Sequence, residues 1–479
     1  MSRTLIWLRG DLRLADNPMF AFDAPPEALL CVFALDEAWL APLPGLEAPR
    51  IGPARLRFLW ESLIALRGEL LRRGSDLLVR IGEPVEAVAG LVDDYAIDEV
   101  RVRAEPGWEE QRAVARLAAR LGDEVALRRL DAGTLLDEAS LPTALAELPG
   151  SFSAFRRRVE RAGSFPEAAP APVTLPGWPE GAPRGFPPLG KVCDRAADWA
   201  PDARGEFAFA GGEAAGLARL DHYLWQSGAI ARYKQTRNGL VGADFSTRLS
   251  PWLSHGCLSA RQVRDAVVAW EARHGANESS YWVVFELLWR EYFHWAARQE
   301  GAALYGAREL PAPDDGFRAW REGRTGVPFV DAAMRELAAT GWLSNRARQN
   351  AASFLVNELA GDWRLGAAWF EACLVDYDVA SNWGNWRYVA GVGRDTRERW
   401  FNVLKQARDY DPAGAYVAHW QPELAELPPG QARHQPWRAA PARFASPVAE
   451  APGWRDWLLP REDDPAAAPG VTTRPPSPS

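Results

Sequence analysis

Residues 54–74 read ARLRFLWESLIALRGELLRRG. Leu56, Leu59, Leu63, Leu66 and Leu70 recur at three- and four-residue steps, which makes one helix face apolar, and Gly74 is a natural stop. Short β-type runs flank this helix, ALLCVFALD at 28–36 and DLLVRIG at 76–82. Similar runs stand at TLIWLRG (4–10), DEVRVRAE (98–105) and VALRRLD (125–131). Strands separated by such helices predict a doubly wound parallel sheet, an α/β domain over residues 1–130. No G-x-G-x-x-G follows the first strand, so the ordinary dinucleotide fingerprint is absent.

Beyond it the pattern changes twice. Residues 131–212 read as a connector, densest in Pro, Gly and Ala at SFPEAAPAPVTLPGWPEGAPRGFPPLG (164–190), and ordered only where it lies on its neighbours. From 213 to 425 the periodicity is helical almost throughout, as in EAAGLARLDHYLWQSG (213–228), which predicts an all-α domain. Residues 426–479 form a Pro- and Ala-rich tail, and its end, EDDPAAAPGVTTRPPSPS, has the composition of disorder. At 479 residues the chain has room for more than one core.

A net charge of −8 gives no support for general nucleic-acid affinity, although a local basic cleft remains compatible with it. Cys31, Cys193, Cys257 and Cys373 are scattered, which argues against a zinc site or a disulfide framework and fits a reducing cytosol. Charges interrupt the apolar run at the N-terminus, and no stretch of about 18 apolar residues occurs. The expectation is a cytoplasmic protein with no signal peptide, membrane span, metal or obligate protein partner.

Seventeen of the 23 tryptophans follow residue 220, and most are accounted for as helical core. Three constellations ask for more. In YWVVFELLWREYFHWAAR (281–298), Glu286 and Arg290 lie at i,i+4 on a helix apolar on nearly every face, so they must pair with each other or with a bound polar group. In GWLSNRARQNAASFLV (341–356), Asn345, Arg348 and Gln349 share one face. In DYDVASNWGNWRYVAGVG (376–393), Asp376, Asp378 and Asn382 offer acceptors and an amide beside Trp383, Trp386 and Tyr388. Metal binding is the rival for the last set, but no His stands near and the spacing fits no EF-hand. The polar residues tip the reading toward a planar aromatic cofactor.

Together these segments resemble the photolyase/cryptochrome family, most closely its DASH-type branch. The resemblance runs from WLRGDLRLADNPMF (7–20) to FNVLKQARDYDPAGAYVAHWQPEL (401–424). It is densest in TGWLSNRARQNAASFLV, DWRLGAAWFEACLVDYDVASNWGNW and VAGVGRD, between residues 340 and 412. It implies an antenna domain and a helical domain holding FAD in a U-shaped conformation. The matching flavin pocket is Tyr233, the phosphate-contacting run Ser246, Thr247, Arg248, Leu249 and Ser250, and then Glu286, Arg290, Asn345, Arg348, Asp376, Asp378 and Asn382. Asn382 would face the flavin N5. Trp386 and Trp363 match the first two tryptophans of the photoreduction chain, but Leu310 stands where a third is usual. The route then ends early or branches through Trp320, Tyr305 or Trp383.

The implied substrate is UV-damaged DNA. Glu286, Trp289, Asn345, Gln349 and Tyr388 match the walls of the cavity that receives a flipped pyrimidine dimer. Gln349 and Tyr388 replace the methionine and tryptophan of duplex-repairing relatives, and the more polar cavity implies a preference for single strands or loops. Arg237 and Arg346 match phosphate-contacting arginines, and Arg394, Arg397 and Arg399 are candidates to extend a basic rim. The histidine pair of six-four photolyases is absent, with Ser344 and Gln349 in its place. Glu109 in AEPGWEEQRA resembles the carboxylate that binds a methenyltetrahydrofolate antenna, with a deazaflavin, an empty site or plain helix capping as alternatives. The resemblance therefore implies a light-driven lyase, and its rival is a blue-light photoreceptor that turns over no substrate.

Overall fold

The structure is a computed structural model and describes residues 2–306, 309–395 and 399–460. The five expected strands form one parallel sheet in the order β3-β2-β1-β4-β5: β1 Arg3–Leu8, β2 Ala28–Asp36, β3 Leu78–Gly82, β4 Glu99–Arg103 and β5 Ala126–Leu130. Alternation of side chains gives the sheet two apolar faces. Leu5 and Trp7 join Val32 and Val102 against α2 (Pro84–Tyr95) and α3 (Trp108–Leu121). Ile6 and Leu8 join Phe33 and Leu35 on the side of α1 (Pro53–Arg72). The five leucines that announced α1 are all at most 4% exposed, each burial contributing roughly 2 kcal/mol.

The connector is ordered along most of its length because it pairs with the sheet's own segments. Leu29 N–H donates to Gly177 O at 2.8 Å, Val79 N–H to Gly185 O at 3.0 Å and Gly185 N–H to Leu77 O at 2.8 Å. It also carries α4 (Phe152–Ala162), whose Ser151 side chain caps its start.

The second half is helical, as expected. Five of its helices matter for the site: α5 (Glu278–Glu300), α6 (Pro328–Thr340), α7 (Asn345–Ser353), α8 (Trp363–Cys373) and α9 (Val379–Val389). The 23-residue α5 begins in a capping box, with Asn277 and Ser280 satisfying each other's end of the helix. Its buried polar groups bind the connector. Arg290 donates to Gly133 O at 2.5 Å and Leu253 O at 3.2 Å, and Glu291 accepts from Leu135 N–H at 2.7 Å and Leu136 N–H at 3.1 Å.

The Pro- and Ala-rich tail is ordered up to residue 460. Residues 426–460 pack on the helical half, with Trp437 1% and Trp454 0% exposed. Two tryptophans among prolines and alanines bury enough apolar surface to order the segment. Residues 461–479, where disorder was expected, lie outside the described residues. Among the described residues no helix is long and apolar enough to cross a membrane.

Candidate functional site

A cavity of about 570 Å³ opens between α5, α7, α9 and the 246–250 run. Every residue expected to hold the flavin lines it, as do Glu286, Trp289, Asn345, Gln349, Tyr388, Trp386, Arg237 and Arg346. Trp363, Glu109 and Arg394 do not line it, and Arg397 lies outside the described residues.

The inner wall is a set of fixed acceptors. Asp376 Oδ2 accepts from Arg348 Nη2 at 2.7 Å, while its buried Oδ1 has no partner among the described residues. Asp378 caps α9: its Oδ1 accepts from Ser381 N–H at 2.8 Å, and its Oδ2 lies 2.8 Å from His294 Nε2. Burial pushes the His294 ring below its ordinary value, so at neutral pH the neutral imidazole donates to the carboxylate. Burial alone would raise Asp378, but His294 and Arg290 override it and hold the carboxyl well below the usual range. Asn382, one turn into α9, donates Nδ2 to Ala367 O at 3.0 Å, which turns its amide oxygen the other way.

The 246–250 run makes a different kind of wall. Arg248 has φ +54° and Leu249 is right-handed, and such a pair points successive N–H groups into one concavity that suits an anion. A left-handed arginine is costly without glycine's freedom, so the neighbours must impose it. They do: the guanidinium donates to Gly242 O at 2.6 Å and lies 4.2 Å over the Trp342 ring. Behind it the buried Glu336 accepts from Tyr416 Oη at 2.6 Å.

At the mouth, Glu286 does not pair with Arg290. Its Oε1 accepts from Arg237 Nη1 at 2.5 Å, and Arg290 is spent on the two carbonyls described above. The i,i+4 spacing made the Glu286–Arg290 pair available, but Arg290 points toward the connector. Burial raises the Glu286 carboxyl and Arg237 opposes it. Trp289 is held between Phe152, 3.7 Å away and stacked, and Phe293 at 5.5 Å. Arg346 donates to Asn238 Oδ1 at 2.9 Å and Gln406 Oε1 at 3.2 Å, and no carboxylate pairs it among the described residues. The buried Gln349 Oε1 has no partner among the described residues. Arg399 lies 3.5 Å over the Tyr388 ring. Arg394 is committed within the chain, to Glu300, Gln299 and the carbonyls of Leu148 and Pro149.

The tryptophans form two groups. Trp386 meets Phe370 at 5.1 Å and Trp320 at 6.0 Å. Trp363 meets Trp383 at 5.9 Å, and Trp383 meets Tyr305 at 5.0 Å. Farther off, Glu109 is half exposed and bridges to Arg50 at 2.8 Å, which also binds Glu371 at 2.8 Å. The buried carboxylate of that corner is its neighbour Glu110, whose Oε2 has no partner.

Sequence reasoning missed His294, Glu336, Phe152 and Glu110. The first signal was present: a lone histidine on an otherwise apolar helix, four residues after Arg290. The donor set fits FAD. An anion concavity, an unpartnered Asp376 oxygen for a ring N–H or ribose hydroxyl, and an amide oxygen on Asn382 line one cavity of suitable size.

Known proteins agree. Residues 4–174 match the family model described as DNA photolyase, and residues 282–452 match the FAD binding domain of DNA photolyase. Cryptochrome DASH of Gloeobacter violaceus is 46% identical over 448 residues, covering 91% of this chain and 89% of that protein. A cryptochrome structure from Synechocystis sp. PCC6803 superposes with a TM-score of 0.86 at 38% identity, over 95% of this chain and 94% of its own. A class III photolyase from Agrobacterium tumefaciens gives 0.80 at 26% identity, over 95% and 96%.

Proposed function

The chain belongs to the photolyase/cryptochrome family, with its strongest likeness to DASH cryptochromes, and from that premise we propose that it splits cyclobutane pyrimidine dimers under blue light, preferring single-stranded or looped DNA. One observation carries the reading. The flavin-holding wall and the lesion-receiving residues line a single cavity, so a flipped base would reach the cofactor's edge.

FAD bound here in its reduced form would supply the light-driven electron that splits the cyclobutane ring. The chain's own residues do the rest. Asp376, Asp378 and Asn382 fix the cofactor's orientation, and the Arg248 turn receives its phosphates. Arg237 and Arg346 meet the DNA backbone. When Arg237 turns to a phosphate, Glu286 loses the cation that lowers its pKa. A carboxyl raised by burial then holds its proton and donates a hydrogen bond to a dimer carbonyl. Trp289, held flat by Phe152, offers an apolar wall, and Asn345 and Gln349 offer polar ones.

The single-strand preference is supported by Gln349 and Tyr388. A missing stacking ring forfeits roughly 1–3 kcal/mol per base, about the cost of unpairing a damaged one. In the antenna corner, the buried Glu110 oxygen suits a folate ring N–H better than the nominated Glu109, which Arg50 already holds.

The test is blue-light repair of a defined thymine dimer by chemically reduced protein, on a single strand and its duplex in parallel. Repair of the single strand alone is expected. Equal repair of both would remove the strand preference, and no repair with flavin bound would favour the photoreceptor.

A further inference from the structure

Leu310 stands where a third tryptophan would extend the electron route, and two other exits from Trp386 are open to comparison. Trp386 has two exits. Toward Trp320 it meets a ring with no exposure, whose indole N–H is tied to Ala351 O at 2.9 Å. That branch stops in the core. The other exit follows the α8–α9 contact. The Trp386 ring edge lies over Gly366, where a Cβ would stand 2.2 Å from its Cη2, and Gly366 is three residues after Trp363 on α8. Trp383 is three residues before Trp386 on α9 and meets Trp363 at 5.9 Å. Beyond Trp383 stands Tyr305, ring to ring at 5.0 Å.

Tyr305 ends this series in an unusual setting. Its buried hydroxyl has no hydrogen-bond partner among the described residues, and neither has the buried Oε2 of Glu110. Both occupy the junction of α3, α9 and the turn Gly301–Tyr305. Glu110 Oε2 lies against Gly107, Gly107 lies against Val379, and Val379 is one turn before Trp383 on α9. Gly301, which opens the Tyr305 turn, abuts Trp108 of α3. We propose that Tyr305 is the terminal electron donor of photoreduction.

The step balances as follows. With FAD bound as the one-electron acceptor, light would draw one electron from Trp386 to the flavin, and the vacancy would pass by the α8–α9 contact to Trp363 and Trp383. Tyr305 gives one electron to the Trp383 cation radical, restoring neutral indole, and its O–H proton leaves to solvent. A neutral tyrosyl radical remains, and a small-molecule thiol returns one electron and one proton to the phenoxyl oxygen.

The electrostatics agree with this role. Burial, with Glu110 the largest charged influence, keeps the Tyr305 phenol protonated far above its ordinary value, so oxidation without proton loss is disfavoured. Glu109, Glu371 and Arg50 are the other charges bearing on the phenol.

The inference rests on the flavin photochemistry proposed above. The experiment is light-induced electron paramagnetic resonance on the FAD-loaded full chain with thiol withheld, with flavin bleaching followed in parallel. A tyrosyl signal is expected in the native protein, reduced at least tenfold in Tyr305→Phe and in Trp383→Phe at equal FAD content. Flavin bleaching with only a tryptophanyl signal, or a tyrosyl signal that survives Tyr305→Phe, overturns the assignment and leaves the repair reading standing. Absence of any bleaching overturns the assignment too, while the repair reading is decided separately on chemically reduced protein.

Discussion

His294 Nε2 stands 2.8 Å from Asp378 Oδ2, and the other oxygen of Asp378 caps the helix that carries Asn382, Trp383, Trp386 and Tyr388. One buried hydrogen bond therefore sets the position of four candidate functional side chains. His294→Leu would leave the carboxylate short of a donor in a buried site, at a cost of about 3 kcal/mol. His294→Gln keeps an N–H donor. Urea unfolding and the flavin-to-protein absorbance ratio should show the leucine variant weakened in both and the glutamine variant close to native. Equal behaviour of the two would mean the bond does not support the helix.

Phe152 reaches from the connector to stack on Trp289 at 3.7 Å. Phe152→Ala should destabilise the protein by about 3 kcal/mol and let the indole leave its plane. Dimer splitting on a single strand, assayed at matched FAD content, should fall several-fold. A native rate would show that Phe293 alone holds the ring.

Trp386→Phe should abolish most photoreduction, seen as loss of light-driven bleaching of the flavin band, and chemical reduction should restore dimer splitting. Gly366→Ala attacks the same ring from outside, since its Cβ would stand 2.2 Å from Trp386 Cη2. Overpacking of this kind typically costs 1–3 kcal/mol, and slower bleaching should accompany it. Undiminished bleaching in Trp386→Phe would mean that another ring feeds the flavin.

Arg346 is half-buried and carries a charge that no carboxylate among the described residues neutralises. Arg346→Ala should weaken binding to single-stranded DNA regardless of sequence. The slope of log K against log salt should shrink by about 0.7. An unchanged slope would place the phosphate contact elsewhere.

Glu336 gives a pH signature. Burial pushes its carboxyl up to about 7, above its unfolded value, with the Tyr416 hydroxyl and Arg248 opposing. The unfolded chain then holds fewer protons at this group than the fold does. Its stabilising share is full below about pH 4.5 and lost as pH rises through 7. Glu336→Gln should therefore gain on the native protein by roughly 3 kcal/mol between pH 4.5 and pH 8. Denaturation curves at the two pH values decide it, and a constant difference between the proteins would mean Glu336 is already ionised in acid.

Local patterns carried much of this site. The leucines of 54–74 announced the α/β half because helix period is a property of neighbouring residues. Asn345, Arg348 and Gln349 were placed on one face by their spacing, and all three line the cavity. Tertiary choices were not legible. Glu286 had a partner four residues away, yet it binds Arg237, because which neighbour Arg290 faces depends on where the connector passes. Composition marks residues 426–460 as rich in proline and alanine but does not tell that Trp437 and Trp454 are buried anchors that dock them. Trp320 and Trp383 could not be separated by sequence, since the difference lies in which ring is sealed and which leads onward.

The four hydrogen bonds from Arg290 and Glu291 to residues 133, 135, 136 and 253 bear on how such a chain can be rebuilt. The two halves are not interchangeable cartridges. Grafting a foreign N-terminal half at a junction downstream of residue 136 would put three of those four contacts at risk, leaving Arg290 only the Leu253 carbonyl of its own half. A chimera that keeps residues 133–136 with their helix avoids that penalty, so the natural splice point for domain shuffling lies upstream of Gly133, inside the segment that looks like mere linker.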